Sequence, residues 1–169
     1  MNPAAEKLKQ KFESSDATVA VIGQGYVGLP LAMELVAAGF KCIGVDVDQA
    51  RVDQLNSGDS YIFDVPSDEL NAARESGLYE ATTDYARVAD ADAISICVPT
   101  PLRKTRDPDV SYIQAAATQM KPHFNGPVLV ILESTTYPGT TDELVAPMLE
   151  TDTCKLDENL FVAFSPERV

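Results

Sequence analysis

The sequence predicts an α/β fold in which helices cover both faces of a mostly parallel, six-stranded sheet. Six short apolar runs, several rich in β-branched residues, alternate with helix-like segments along the 169 residues. This alternation is typical of parallel strands joined by helical crossovers. A glycine turn of the form G-x-G-x-x-G stands between the first apolar run and the first helical segment, as it does in doubly wound folds of the Rossmann type. Right-handed crossovers then predict the strand order 3-2-1-4-5-6.

The first unit of this fold predicts a site for a dinucleotide. A buried strand is predicted at 19–22 and a helix at 26–38, with the glycine turn between them. In such a turn Gly23 permits the tight bend, Gly25 lets a pyrophosphate approach the backbone, and Gly28 lets helix and strand pack closely. The N-terminus of the helix also presents free N–H groups to the phosphates.

The second strand, predicted at 41–46, ends in an acid. Asp46 follows Gly28 by 18 residues, close to the spacing of the acid that holds the adenosine ribose. A 2′-phosphate would meet like charge at this position, so the sequence predicts NAD rather than NADP. Arg51 lies one turn further on, where it either reaches the adenosine end of the cofactor or is an ordinary solvated helix residue.

The rest of the chain continues the alternation of strands and helices. Further strands are predicted at 78–83, 93–98, 127–132 and 160–164, and further helices at 48–58, 67–76, 111–121 and 141–149. The irregular segment 59–66 supplies Tyr61, Ile62 and Phe63 as packing anchors. Residues 1–16 are predicted to form a polar leader, helical or frayed, and residues 17–169 a single dinucleotide-binding domain.

Polar residues follow three of the later strands. Strand four is followed by Pro99 and Thr100, strand five by Ser134 and Thr135, and strand six by Glu167. Ligands of open α/β sheets bind beyond the carboxyl ends of the strands, so these residues are predicted to face one crevice. Each of them alone could be an ordinary cap or turn residue. Glu167 could be a general base at the mouth of the crevice, or one solvent-exposed acid among many.

Charge and hydropathy exclude several classes of protein. The formal net charge of −13 repels nucleic acid and anionic membranes. No apolar run reaches the ~18 residues of a membrane span, and the N-terminus lacks the apolar core of a signal peptide, so a cytoplasmic location is predicted. A local exception to the acidity is the loop with Arg103, Lys104 and Arg106, which either borders a substrate or is simply solvated.

The three cysteines do not indicate a metal site or a disulfide framework. Cys42 and Cys97 fall inside predicted buried strands, and Cys154 falls in a polar connection. No paired cysteine spacing and no cysteine–histidine cluster occurs in the sequence, whereas structural metal sites require such groupings. We therefore expect Cys42 and Cys97 to be small core residues.

Four separated motifs resemble one known family, the UDP-glucose/GDP-mannose dehydrogenases. The motifs are Gly23-Gln-Gly-Tyr-Val-Gly-Leu-Pro-Leu-Ala32, Val98-Pro-Thr-Pro-Leu102, Ser134-Thr135 and Ser165-Pro-Glu-Arg-Val169. The residues of the Pro-Thr-Pro-Leu and Pro-Glu-Arg-Val motifs are more similar to those of the UDP-N-acetylglucosamine and UDP-N-acetylmannosamine 6-dehydrogenases than to those of the UDP-glucose dehydrogenases. The resemblance extends over nearly all of residues 17–169.

The resemblance implies an NAD-dependent oxidation of a sugar C6 alcohol, through an aldehyde, to a carboxylate, with two NAD reduced per sugar. It implies cofactor contacts at Gln24, Tyr26, Val27, Asp46, Arg51, Thr100 and Thr135. It also implies that Thr135 helps to hold a catalytic water and that Glu167 assists thiohemiacetal or thioester chemistry. For the whole enzyme it implies a UDP-sugar substrate and a homodimer formed through other segments.

One departure from the family limits what the resemblance implies. In the family, the nucleophilic cysteine, the catalytic lysine and asparagine, the central dimer helix and the UDP-binding domain all follow the Pro-Glu-Arg-Val motif. The chain is therefore expected to be the N-terminal cofactor domain of a longer enzyme, one that binds NAD without turnover. Two alternatives stay open, a free-standing dinucleotide sensor and the cofactor domain of a related hydroxyacid-type dehydrogenase.

Overall fold

A computed structural model of the chain describes residues 2–103 and 108–166. Its strands are β1 (Thr18–Ile22), β2 (Lys41–Val45), β3 (Tyr79–Thr82), β4 (Ala93–Ile96), β5 (Val128–Leu132) and β6 (Leu160–Phe164). They form one sheet in the order β3-β2-β1-β4-β5-β6, and every neighbouring pair is parallel. The predicted fold class and strand order are thus confirmed.

Six α-helices accompany the sheet in the described part of the chain. They are α1 (Pro3–Glu13), α2 (Gly28–Ala37), α3 (Gln49–Ser57), α4 (Ser67–Glu75), α5 (Ser111–Met120) and α6 (Ala146–Leu149). Short 3-10 helices occupy Tyr85–Asp90 and Lys121–His123. No helix within the described ranges is long and apolar enough to cross a membrane.

The core consists of two apolar clusters, one on each face of the sheet. One face packs against α2, α3 and α4 through residues such as Leu29, Leu55 and Leu70. The other face packs against α5 and α6 through residues such as Ile113 and Leu149. The central strands are buried on both faces, which explains why their sequences are continuous apolar runs rather than alternating ones.

The register of the sheet places the residues that follow four strands at one level. Ile22 is in register with Val45 and with Ile96, and Ile96 is in register with Leu132. The next residues along the chain therefore begin one common carboxyl edge. These residues are Gly23, Asp46, Cys97 and Glu133.

The leader is a helix that packs against the domain, which is one of its two predicted forms. Asn2 caps α1 through its side-chain oxygen. Leu8 is buried, and the ring of Phe12 meets the ring of Phe40 edge-on at 6.4 Å. Lys11 pairs with Asp92 at 2.6 Å, beside the start of β4.

Three local predictions were wrong. Phe63 is not the packing anchor that was expected, because its side chain is 99% exposed. The helix predicted at 141–149 starts with a π-helical turn at Thr140–Val145, because Pro147 lacks the N–H that a regular α-helix would donate to the preceding turn. Cys97 lies outside the strand in which it was predicted, because β4 ends at Ile96 before the two prolines. It is only partly buried, although it packs against the core. Cys154 lies in a loop, as predicted, and it is almost fully buried there, with its sulfur 4.0 Å from the carbonyl oxygen of Gly126.

Candidate cofactor-binding site

A cleft of about 820 Å³ opens at the carboxyl edge of the sheet. Its volume falls within the range of ordinary ligand pockets. The glycine turn after β1, the segment after β4 and the segment after β5 form its walls. The lining residues are Gly23, Gly25, Tyr26, Val27, Arg51, Cys97, Val98, Pro99, Thr100, Pro101, Glu133, Ser134 and Thr135.

The three glycines of the turn occupy three different environments. Gly23 has a φ of +91°, and a Cβ on it would lie 2.8 Å from the carbonyl oxygen of Cys97. A Cβ on Gly28 would lie 1.8 Å from the carbonyl oxygen of Gly23, so α2 and β1 approach as closely as the backbones allow. A Cβ on Gly25 would meet no heavy atom of the described chain within 4 Å, its own neighbours aside. Open space beside Gly25 is what a pyrophosphate needs.

Asp46 is fixed directly beneath the glycine turn. Only 5% of its surface is exposed. Its Oδ2 accepts the backbone N–H of Gln24 at 2.8 Å, and its Oδ1 accepts the backbone N–H of Asp48 at 3.0 Å. An ionised carboxylate offers about four acceptor positions, so the side chain can still accept hydrogen bonds from a ligand hydroxyl.

Arg51 lies between two carboxylates and an aromatic ring. Its Nη1 is 3.7 Å from Asp46 Oδ2, and its Nε is 3.6 Å from Asp48 Oδ2. Its guanidinium carbon lies 5.9 Å from the centroid of the Tyr61 ring. Arg51 also lines the cleft, which favours the predicted contact with the adenosine end over a purely solvated role.

Gln24 has a place that its motif position did not indicate. Its side chain is fully buried, where Nε2 donates to the carbonyl of Val21 at 2.9 Å and Oε1 accepts the hydroxyl of Tyr79 at 2.8 Å. A Cβ on Gly44 would lie 2.6 Å from that Oε1, so the glycine in β2 makes room for the amide. The predicted cofactor contact of Gln24 can therefore involve its backbone but not this inward side chain.

The segments after β4 and β5 are joined by side-chain hydroxyls. Ser134 is buried, and its Oγ donates to the carbonyl of Val98 at 2.6 Å. The Oγ1 of Thr100 donates to the carbonyl of Thr135 at 2.6 Å. These two bonds hold the strand ends together, while Thr135 is itself exposed at the cleft. Predicted site residues of both segments thus lie in one place.

Cys97 and Val98 line the cleft, although neither was predicted as a site residue. Cys97 was expected in the core, yet it lines the cleft together with Glu133. Ser95 lies between them, with its Oγ 3.6 Å from the Cys97 sulfur and 3.5 Å from Glu133 Oε1. The prolines that follow Val98 were the signal that the strand ends early.

Some predicted residues fall outside the described part of the chain. Glu167 is one of them, and Lys104 and Arg106 of the basic loop are two others. The described residue of that loop, Arg103, forms an ion pair with Asp109 at 2.9 Å. This contact lowers the pKa of Asp109 to about 2, chiefly through the hydrogen bond from Arg103.

The fold and the site define a dinucleotide-binding domain of the Rossmann type. The bent turn at Gly23, the open space at Gly25 and the buried acid after β2 are the features that accommodate a pyrophosphate and a ribose. The chain belongs to the UDP-glucose/GDP-mannose dehydrogenase family, whose NAD binding domain matches residues 17–169. The family predicted from the sequence is confirmed, and NAD is the cofactor of this domain.

Characterised relatives and solved structures agree with this assignment. The chain is 37% identical over 165 residues to UDP-N-acetyl-D-mannosamine dehydrogenase of Salmonella typhimurium, covering 92% of this chain and 38% of that protein. It is 38% identical over 170 residues to NDP-N-acetyl-D-galactosaminuronic acid dehydrogenase of Ralstonia solanacearum, covering 96% and 40%. The crystal structure of NDP-N-acetyl-D-galactosaminuronic acid dehydrogenase from Methanosarcina mazei superposes with a TM-score of 0.86 at 28% identity, covering 100% of this chain and 38% of that one. The chain therefore spans about two fifths of the length of these relatives.

Proposed function

We propose that this domain serves an enzyme that oxidises the C6 alcohol of a UDP-N-acetylhexosamine to the carboxylate with two NAD. The observation that carries the proposal is that the glycine turn and the segments after β4 and β5 line the same cleft. The names of the relatives, which act on N-acetylated nucleotide sugars, support the substrate class. A homodimeric enzyme in the cytoplasm is part of the proposal.

The proposal divides the cleft between the two ends of the cofactor. Gly25, Tyr26 and Val27 would bind the pyrophosphate at the N-terminus of α2, while Asp46 would accept the hydroxyls of the adenosine ribose and Arg51 would flank it. Bound NAD supplies a hydride acceptor. The opposite wall would hold the nicotinamide half through Pro99, Thr100, Ser134 and Thr135, whose positions are fixed by hydroxyl-to-carbonyl hydrogen bonds.

Two further residues are proposed to act in the chemistry. Thr135 is exposed at the cleft and would help to position a water, and Glu167 would assist proton transfer during the covalent steps. No covalent role is proposed for the three cysteines of this chain, because the resemblance places the nucleophilic cysteine of the family after the Pro-Glu-Arg-Val motif. This reason applies also to Cys97, which lines the cleft. Burial raises the pKa of the Cys42 thiol to about 12, which disfavours its thiolate form. Cys154 lies beside Gly126, before β5 rather than after it.

Calorimetric titration of the 169-residue chain with NAD and with NADP tests the cofactor half of this proposal. NAD should bind more tightly than NADP, because the buried Asp46 carboxylate repels a 2′-phosphate. Asp46→Ala should weaken NAD binding by about 10- to 100-fold, the effect of roughly 1.5–3 kcal/mol for hydrogen bonds to a charged group. Asp46→Asn keeps the side-chain shape and separates the loss of charge from the loss of packing.

A matched control removes a different acid from the same region. Asp53 is exposed on α3, and within the described residues its carboxylate accepts a hydrogen bond from Gln49. Asp53→Ala should therefore leave NAD binding unchanged. Tighter binding of NADP than of NAD by the unmutated chain would refute the role of Asp46.

The chemical half of the proposal is tested by turnover. The 169-residue chain should bind NAD but not reduce it in the presence of UDP-N-acetylglucosamine, UDP-N-acetylmannosamine or UDP-glucose. The resemblance places both the UDP-binding domain and the nucleophilic cysteine of the family after the Pro-Glu-Arg-Val motif, so the 169 residues should neither hold the sugar for the first hydride transfer nor form the thiol adduct of the second oxidation. Steady formation of NADH by the purified chain would overturn this assignment. A protein that continues through a cysteine-containing sugar domain should oxidise one of the N-acetylated sugars, and oxidation of UDP-glucose alone would overturn the proposed substrate class.

A further inference from the structure

The side chain of Tyr61 contacts both the glycine turn and Arg51. It lies between α3 and α4, in a stretch ordered by the hydroxyls of Ser60 and Ser67. Its own hydroxyl donates to the carbonyl of Gln24 in the glycine turn at 2.6 Å. Its ring lies under the guanidinium of Arg51 at 5.9 Å. One side chain thus connects the turn with the cation that flanks Asp46.

The hydroxyl of Tyr61 fixes one peptide of the glycine turn. A trans peptide is planar and its N–H lies antiparallel to its C=O, so holding the carbonyl of Gln24 also sets the direction of the Gly25 N–H. The N–H of Gln24 is held from the other side by Asp46 Oδ2 at 2.8 Å. Burial, with the nearby Asp46 charge, raises the pKa of Tyr61 to about 12. The hydroxyl therefore remains a donor throughout the neutral pH range.

The ring of Tyr61 is one of three groups that surround the guanidinium of Arg51. The other two are the carboxylates of Asp46 at 3.7 Å and Asp48 at 3.6 Å. An arginine near the adenosine ribose is the usual means of accepting a 2′-phosphate, but this one is engaged by two carboxylates and a ring. If the ring is removed, the guanidinium has more freedom to turn toward a phosphate.

We propose that Tyr61 is a positioning residue of the NAD site, whose hydroxyl orders the glycine turn and whose ring keeps Arg51 beside Asp46 so that NADP is disfavoured. This inference rests on the cofactor site proposed above. It assigns two separable effects to one side chain. The hydroxyl acts on both cofactors alike through the pyrophosphate, whereas the ring acts on the choice between them.

Two variants separate these effects in calorimetric titrations of the 169-residue chain. Tyr61→Phe removes only the hydroxyl and should weaken NAD and NADP alike, by roughly two- to tenfold for one hydrogen bond. Tyr61→Leu also removes the ring, and it should raise the affinity for NADP relative to NAD by roughly two- to fivefold, the size of an exposed cation–π contact. Phe63→Leu changes a side chain of the same segment that is 99% exposed, and should change neither quantity.

The protein without cofactor gives an independent readout. In amide NMR spectra, Tyr61→Phe should shift the resonance of Gly25, while Phe63→Leu should not. Thermal unfolding of each variant checks that the fold persists. An unchanged ratio of NADP to NAD affinity in Tyr61→Leu, with normal NAD binding by the unmutated chain, would overturn the role of the ring alone. Equal NAD binding and an unshifted Gly25 resonance in Tyr61→Phe would overturn the role of the hydroxyl. Failure of the unmutated chain to bind NAD would overturn the cofactor site itself and this inference with it.

Discussion

Alanine at Gly25 and alanine at Gly28 should have opposite effects on binding and on stability. Both residues belong to the same turn and both substitutions add one methyl group, so each variant is the control for the other. Gly25→Ala should keep the fold and lose NAD affinity. Gly28→Ala should destabilise the fold itself. The difference follows from what surrounds the two Cα atoms.

The added methyl at Gly28 has no room. It would lie 1.8 Å from the carbonyl oxygen of Gly23 and 2.9 Å from its carbonyl carbon. Real Cβ atoms do not approach other atoms closer than 3.0 Å, and here the obstacle is backbone rather than a side chain that could rotate away. Helix α2 must therefore withdraw from β1, at a cost of about 2 to 3 kcal/mol and a Tm lower by roughly 5–10 °C.

The added methyl at Gly25 meets nothing in the protein without cofactor. No described heavy atom lies within 4 Å of it, its chain neighbours aside, and Gly25 has no positive φ. Alanine should therefore leave stability unchanged or raise it by up to about 1 kcal/mol through a less flexible unfolded chain. The same methyl would stand where the pyrophosphate is proposed to lie. Loss of its charge-assisted bonds to the turn should weaken NAD at least about tenfold.

Calorimetric titration with NAD and thermal unfolding followed by circular dichroism measure the two quantities separately. Gly25→Ala should retain its Tm while its dissociation constant for NAD rises. Normal NAD binding by Gly25→Ala would show that the pyrophosphate does not lie against this turn. An unchanged Tm for Gly28→Ala would show that the close contact between α2 and β1 is not needed for stability.

Two further predictions concern the thiols and the phenols. Bound NAD should slow the alkylation of Cys97, which lines the cleft, but not that of Cys154. Peptide mass spectrometry measures the alkylation of each cysteine. Equal rates for Cys97 with and without NAD would place the cofactor elsewhere. Stability should fall as pH rises above about 9, because burial raises the pKa of Cys42 and of Tyr85 to about 12, so the unfolded chain loses these protons first. The free energy of unfolding should fall by at most about 1.4 kcal/mol per pH unit for each proton. Urea unfolding between pH 8 and pH 11 should show a shallower fall of this free energy in Cys42→Ala than in the unmutated chain. Equal slopes in the two proteins would contradict the argument.

The fold could be predicted from sequence because each of its signals is local. Apolar runs identify buried strands, the glycine turn identifies the first crossover, and the acid at 46 identifies the end of β2. Each signal needs fewer than about twenty consecutive residues, and the handedness of crossovers supplies the strand order. The errors arose where a local signal was overridden. Pro147 widened a helix that its periodicity predicted as regular. The prolines at 99 and 101 ended β4 at Ile96, so that Cys97 lines the cleft instead of lying within the strand.

The direction of a side chain at the carboxyl edge could not be predicted in the same way, because it depends on contacts between distant residues. Gln24 points inward since Tyr79, 55 residues away, donates to its side chain, and since Gly44 leaves space for it. Ser134 likewise points to the carbonyl of Val98, 36 residues away. Neighbours in the same motifs, Tyr26 and Thr135, are exposed instead. A motif position therefore predicts that a residue lies at the edge of the sheet, whereas its partners across the sheet determine whether its side chain supports the cleft from within or faces the cofactor.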